Sequence, residues 1–435
     1  MFDSVVIVVL TVVLFGLIIG VSRMWVRAQR WVARQVNRVA PRRVSAVVGV
    51  VVVLALTIGL LNGVVVSKTM STLNATFEAA NEETSPGTVA PATPFRSGGP
   101  GSLVTWNSLG HDGRNFVTDG PTGDQLSRFS GRPAIQPVRA YAGLASADGV
   151  QAEANLVVRE LDQAGGFQRA VLGVGTTTGT GSLKKSATAL EYLANGNSAL
   201  VSVQYSYLPS PLSFLSDHTR AERAGKALFN AVYDKWKTLP PTYRPKLVVF
   251  GESLGSFGSE SAFSGPSDMQ ARTDGVVFTG PPSMNEVWSE LESARDPGSP
   301  QWLPVYQQGR VVRFMARAAD LNDRASDWAA PRVVYLQHPS DPIVWWSPSL
   351  LFKQPDWLKE PRGYDVLPGT RWYPIVSFLQ LAADMAVSTG VPDGHGHYYG
   401  ANFANAWAAI LQPPGWTTGD TERLRAILIE LDTAP

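Results

Sequence analysis

The chain has 435 residues, 44% of them apolar and 10% aromatic, with 37 Lys plus Arg against 36 Asp plus Glu. That composition excludes a disordered chain and leaves room for one large domain with insertions or two ordinary ones. The absence of Cys excludes disulfide staples, thiolate metal sites and a cysteine nucleophile.

The net charge of +1 hides an asymmetry. Residues 1–77 hold seven Arg, Lys68 and a single acid, Asp3, a net of +7, which leaves −6 for the rest, from 29 bases against 35 acids. Residues 5–21 are an unbroken run of apolar residues and glycines, and 44–66 form a second, interrupted only by Ser45, Thr57 and Asn62. A helix needs about 20 such residues to cross a bilayer. The segment before the first run lacks positive charge and no small-residue cleavage site follows it, unlike a cleaved signal peptide. Two transmembrane helices, 4–22 and 44–67, are therefore expected within a membrane domain 1–68.

Arg23, Arg27, Arg30, Arg34, Arg38, Arg42 and Arg43 lie in the loop 23–43 between them. Arginines in a short loop beside membrane spans stay cytoplasmic, so both chain ends are expected outside and everything after Lys68 extracytoplasmic. The predicted location is the cell membrane, with the chain crossing it more than once. The first five arginines step by four, three, four and four, which lines one helix face suited to anionic headgroups. Membrane lipids are thus expected partners. Nucleic acid is not, because the basic stripe sits between two spans and the body is acidic.

Residues 69–101 are expected to be a linker, its latter part reading TSPGTVAPATPFRSGGPG, too rich in Pro, Gly, Ser and Thr to bury a core. Beyond it, in a domain 102–435, apolar runs at 138–143, 170–175, 199–205, 246–250, 275–279 and 332–337 read as strands. Helical patterns at 149–163, 219–238, 402–411 and 421–431 separate or follow them. Near-continuous apolar strands alternating with helices predict an α/β fold with a parallel sheet covered on both faces.

The sharpest chemical feature is Gly251-Glu252-Ser253-Leu254-Gly255, which directly follows the run 246–250 and precedes a helix-compatible stretch, 256–263. A serine on a tight strand-to-helix turn has its hydroxyl exposed, and glycines two places either side remove side chains that would clash there. Serine needs a base, because its free hydroxyl is a poor nucleophile at neutral pH. In this architecture the order is Ser, acid, His. Asp341 is the first carboxylate after the run 332–337, and His395 and His397 sit in the later loop Asp393-Gly394-His395-Gly396-His397. One of these two histidines is expected to be the base, with His397 favoured by the glycines one and three positions before it. The oxyanion hole is expected from the Leu254 amide and an amide near Thr177 or Thr178, in the loop after the run 170–175. A phosphate loop is excluded there, because no G-K-[ST] follows in register. Two insertions carry aromatics: 280–331, read as roughly helical, and 344–373. Trp345 and Trp346 are expected as walls of a substrate pocket.

These segments resemble the bacterial membrane-anchored α/β-hydrolase family, in which a multi-span N-terminal domain precedes a catalytic domain. The resemblance covers about residues 103–410 and rests on WNSLGHDGRNFV (106–117), EYLANG (191–196), VQYSYLPS (203–210), GESLGSFGSE (251–260), LQHPSDPIVWW (336–346) and DGHGHYYG (393–400). It implies an α/β-hydrolase fold and a triad of Ser253, Asp341 and His395 or His397. Members usually carry more spans than two, and the stretch 176–181 lacks a Pro and a Trp common in the family. The expectation is a membrane-anchored serine esterase or lipase forming an acyl-enzyme from an ester that can be lipid-like, with no metal or organic cofactor needed. An envelope acyltransferase with the same residues is one alternative. A non-catalytic membrane scaffold or lipid-binding protein on a hydrolase fold is the other.

Overall fold

The computed structural model describes residues 67–183, 188–322 and 326–433, together with 19–20, 22–37 and 52–53 of the front end. The chain divides into two compact units, Met1–Thr76 and Phe77–Pro435. In the first, residues 22–36 are helical and carry Arg23, Arg27, Arg30 and Arg34. Nearly all of the two expected membrane spans lies outside the described residues, and among the described residues no helix is long and apolar enough to cross a membrane.

The elements that frame the second unit are, in chain order, α1 (Ser67–Glu82, entering from the first unit), α2 (Gly110–Thr118), β1 (Val138–Ala142), α3 (Val150–Gln163), β2 (Val171–Thr176), α4 (Ala189–Leu193), β3 (Ser198–Val203) and α5 (Thr219–Trp236). They continue as β4 (Lys246–Glu252), α6 (Leu254–Glu260), β5 (Gly275–Thr279), β6 (Val312–Met315), β7 (Arg332–Leu336), α7 (Pro342–Trp345), α8 (Val376–Asp384), α9 (Asn402–Leu411) and α10 (Thr418–Thr433). The strands form one seven-stranded sheet in the order β1-β3-β2-β4-β5-β7-β6. Every pairing is parallel.

Alternation along each strand sends successive side chains to opposite faces, and both faces are apolar, so each needs its own cover. Leu172, Val174, Leu247, Val249, Val276 and Phe278 meet α3, α5 and α6 on one side through Val157, Leu161, Leu228, Phe229 and Phe257. Leu200, Val248, Phe250, Val277 and Val334 meet α2, α4, α9 and α10 on the other through Phe116, Leu190, Trp407 and Leu424. Because all strands run the same way, their C-terminal ends share one edge, where ligands bind in such sheets.

Two expectations need correction. The insertion 280–331 is not simply helical: it contains β6, an edge strand that lies beyond β7 although it precedes β7 in the chain. The stretch expected to be a loose tether is docked at its end. The Arg96 guanidinium donates to the carbonyls of Val117, Thr118, Gly120 and Pro121. Ser97 N–H and Arg139 N–H bond the chain to the edge of β1.

Buried charge is handled unevenly. Arg139 of β1 meets Glu191 of α4 in a two-pronged ion pair (2.6 and 2.8 Å) that is almost fully buried. Glu153 of α3 is 2% exposed, and its Oε2 has no hydrogen-bond partner among the described residues. Burial pushes its carboxyl from the ordinary 4.5 up to about 8. The unfolded chain releases that proton near 4.5 and the folded one near 8, so the group subtracts stability progressively as pH rises through this interval. Glu153→Gln should therefore match the parent in urea midpoint below pH 4.5 and exceed it by a growing margin toward pH 8. A difference that stays constant with pH would contradict this.

Candidate active site

Ser253 sits between β4 and α6 with φ 56° and ψ −127°, a backbone conformation that L-residues rarely adopt. Close packing enforces it. A Cβ on Gly251 would lie 2.2 Å from the Gly255 carbonyl oxygen, and one on Gly255 would lie 2.4 Å from that of Thr176. The two flanking glycines thus let the turn fold on itself and press against the end of β2. Ser253 N–H donates to the Thr279 carbonyl at the end of β5 (2.8 Å), and Ser253 O accepts from Ser256 N–H (2.9 Å) and Ser256 Oγ (2.7 Å).

The next residue along, Gly280, connects this turn to a histidine. Its φ is +53°, and a Cβ there would lie 2.5 Å from His397 Cε1. His397 is 4% exposed, and its Nδ1 lies 2.7 Å from Asp341 Oδ2. Asp341, fully buried just beyond β7, caps α7 by accepting from Ile343 N–H through Oδ1 (2.8 Å). A carboxylate can only accept, so Nδ1 carries the hydrogen and Nε2 of a neutral ring is left as the basic nitrogen. The His397 N–H donates to Ser388 O (2.8 Å), which anchors the loop at that ring.

The two candidate histidines have different surroundings. His395 is about half exposed at its side chain and faces Asp365 (Nδ1 to Oδ2 3.4 Å), a carboxylate from the second insertion that also accepts from Ser340 Oγ. It is not joined to Asp341. His338, which precedes the acid, is buried and stacks on Tyr399 with ring centroids 4.2 Å apart. Burial lowers its pKa below the usual imidazole range, and its Nδ1 lies 3.0 Å from Gly396 O.

Tyr399 was not singled out from the sequence. Its hydroxyl donates to Asp341 Oδ2 (2.5 Å) and accepts from His338 N–H (3.2 Å), so one carboxylate oxygen serves both Tyr399 and His397. Burial, then the neighbouring Asp341 charge, raise the phenol pKa well above its ordinary value, which keeps the hydroxyl a donor. The only advance signal was its place in DGHGHYYG beside the histidines.

The expected oxyanion amides are narrowed. Leu254 is the first residue of α6, where a helix N–H has no intrahelical acceptor. Thr178 N–H instead donates to Ser182 O (2.9 Å) and closes its own turn, so it is committed elsewhere. Thr177 is buried with its hydroxyl on Val203 O (3.0 Å), and its carbonyl sits 3.0 Å from where a Gly255 Cβ would be, which puts it beside α6. The loop is held in place by Tyr141 OH on Gly181 O (2.6 Å) and Gln204 Nε2 on Thr180 O (2.7 Å).

The tryptophan pair also divides. Trp345 is 5% exposed, packs between Trp288 and Trp357, and donates from Nε1 to His338 O (3.1 Å). It packs into the core beneath the acid loop. Trp346 is half-buried, with its ring 5.0 Å from that of Phe378 of α8 and its carbonyl accepting from Ser283 Oγ (2.6 Å).

Among solved structures, the chain is similar to a Trichoderma reesei cutinase in complex with a C11Y4 phosphonate inhibitor, at 17% identity over 45% of this chain and 77% of that one. The TM-score is 0.24, too low to bear on fold or function. No curated protein sequence matches the chain. Residues 2–121 match the N-terminus described for the alpha/beta-hydrolase family, and residues 138–424 match the family itself. With most of its length so matched, and with a parallel sheet carrying the strand–serine–helix turn, the chain belongs to the alpha/beta-hydrolase family.

Proposed function

We propose that this protein is a serine hydrolase that cleaves a carboxylic ester, of lipid-like character, through an acyl-enzyme, with its catalytic unit held outside the cytoplasm by membrane spans near the N-terminus. The observation that carries the reading is the junction at Gly280: Ser253 hangs from Thr279, and the adjacent Gly280 abuts the ring that Asp341 holds. The membrane part rests on the apolar runs 5–21 and 44–66 and the arginines between them.

In this mechanism Ser253 Oγ attacks the ester carbonyl as His397 Nε2 takes its proton. Asp341 holds the tautomer and stabilises the imidazolium that forms. The Leu254 and Thr177 amides face the oxygen that becomes negative. The imidazolium returns the proton to the departing alcohol, leaving the acyl group on Ser253. Water, deprotonated by His397, then releases the acid and restores the serine.

A fluorophosphonate probe tests this directly. The purified full chain should be labelled at one site, and Ser253→Ala should lose the label while keeping the parent's thermal unfolding. An unlabelled, folded parent would exclude the serine hydrolase.

A further inference from the structure

Scattered exposed apolar residues are ordinary on a protein surface, but a contiguous group of them is not. Among the described residues of the second unit, nine large apolar or aromatic side chains are more than half exposed, and seven fall within 352–387. Phe352, Leu367, Ile375, Val376, Leu379 and Val387 carry most of that surface. Helix α8 is apolar on both sides: Leu381 packs on the core and Phe378 against Trp346, while Val376 and Leu379 are exposed. No charged residue lies between Arg371 and Asp384. Ile375, at the start of α8, has φ +66°, a rare conformation for a β-branched residue and one that marks a specialised segment.

This face adjoins both loops of the active site. Helix α8 packs on α7, which Asp341 caps, and on the turn Pro348–Leu351, which leads into Phe352. The turn Met385–Val387 after α8 leads to Ser388, whose carbonyl holds the His397 N–H.

We infer that this apolar face docks on the surface of a lipid bilayer. Two features on the page select lipid as the occupant. The chain itself carries apolar runs of bilayer length, joined to the catalytic unit by a short segment, so a bilayer lies within reach; this step rests on the membrane reading proposed above. Exposed Lys353 and Arg371 border the face and suit anionic headgroups; exposed Asp384 ends α8, and the stretch 372–383 is uncharged. Docking there brings the Asp341 and His397 loops next to the leaflet, where a lipid-like ester resides.

The absence of Cys makes a single engineered thiol unique. The full chain is reconstituted in phosphatidylcholine–phosphatidylglycerol vesicles with a fluorophore on Leu379→Cys or, in a second sample, on Tyr243→Cys. Tyr243 is exposed ahead of β4, at the opposite edge of the sheet. The Leu379 label should lose most of its emission to doxyl-labelled lipid and little to iodide, and the Tyr243 label should show the reverse. Adding Val376→Glu to the Leu379→Cys chain should restore iodide quenching. Equal iodide quenching at both sites overturns the inference, and so does shielding from iodide without doxyl quenching, which means that protein covers the face. Flotation after a carbonate wash reports separately whether the chain is inserted, and fluorophosphonate labelling reports separately on the hydrolase.

Discussion

Asp341→Asn should lower kcat for a p-nitrophenyl ester by about 10⁴-fold while the protein stays folded. Asp341 Oδ2 accepts from both His397 Nδ1 and Tyr399 OH, and Oδ1 accepts from Ile343 N–H. An asparagine has one accepting oxygen and one donating amide. With its NH2 toward Ile343, two donors meet and the α7 cap is lost. With its NH2 toward His397, Tyr399 can rotate to accept and the imidazole can adopt the tautomer protonated on Nε2. That second arrangement keeps the α7 cap and the His397 contact and leaves only the Tyr399 hydroxyl hydrogen without its acceptor, so it is the one that forms, and its Nε2 can no longer take the serine proton. Fluorophosphonate labelling should slow in parallel, because it needs the same base. A loss under about tenfold would mean that tautomer control by Asp341 is not what limits the reaction.

The sheet was largely legible in the sequence, because strands buried on both faces must be apolar at nearly every position. Strand β6 was not. It pairs with one strand only, apart from a single bridge from Arg313 to Val305, and Arg313 interrupts its four residues, a buried side chain satisfied by the carbonyls of Gly309, Leu321 and Ser326. The docking of Arg96 was hidden for a similar reason: its four acceptors are carbonyls at and just beyond the C-terminal end of α2, and no composition records them.

At the site, chain order sufficed to bring Asp341 and the histidine loop into one argument, but not to separate His395 from His397. Their difference lies in Asp365, which the second insertion delivers to His395, and insertions have no readable register. Adjacent Trp345 and Trp346 looked alike as pocket residues, yet α7 ends at Trp345 and the chain turns extended at Trp346, so Trp345 packs into the core while Trp346 is only half-buried. Gly280 is one of 40 glycines, and what makes it special is a ring that arrives from 117 residues later in the chain.

That contact makes Gly280→Ala the most discriminating single change. The new methyl would lie 2.5 Å from His397 Cε1 and 2.9 Å from both His397 Nδ1 and Tyr399 Cε2. The strand end is fixed by Ser253 N–H on Thr279 O and by Gly280 N–H on Leu336 O, so the backbone cannot retreat and the ring must move. A displacement near 1 Å in a catalytic group costs about 10²-fold, and that is the expected fall in kcat. The positive φ adds strain of roughly 1–2 kcal/mol. Overpacking adds about 1–3 kcal/mol, so a drop in stability must be separated from the drop in rate. Gly298→Ala supplies the comparison: its φ is +88°, but its Cβ meets nothing within 4 Å. It should lose stability through the backbone alone and keep the parent's kcat. If Gly280→Ala also kept that kcat, the ring pressed against Gly280 would not be the ring that takes the serine proton.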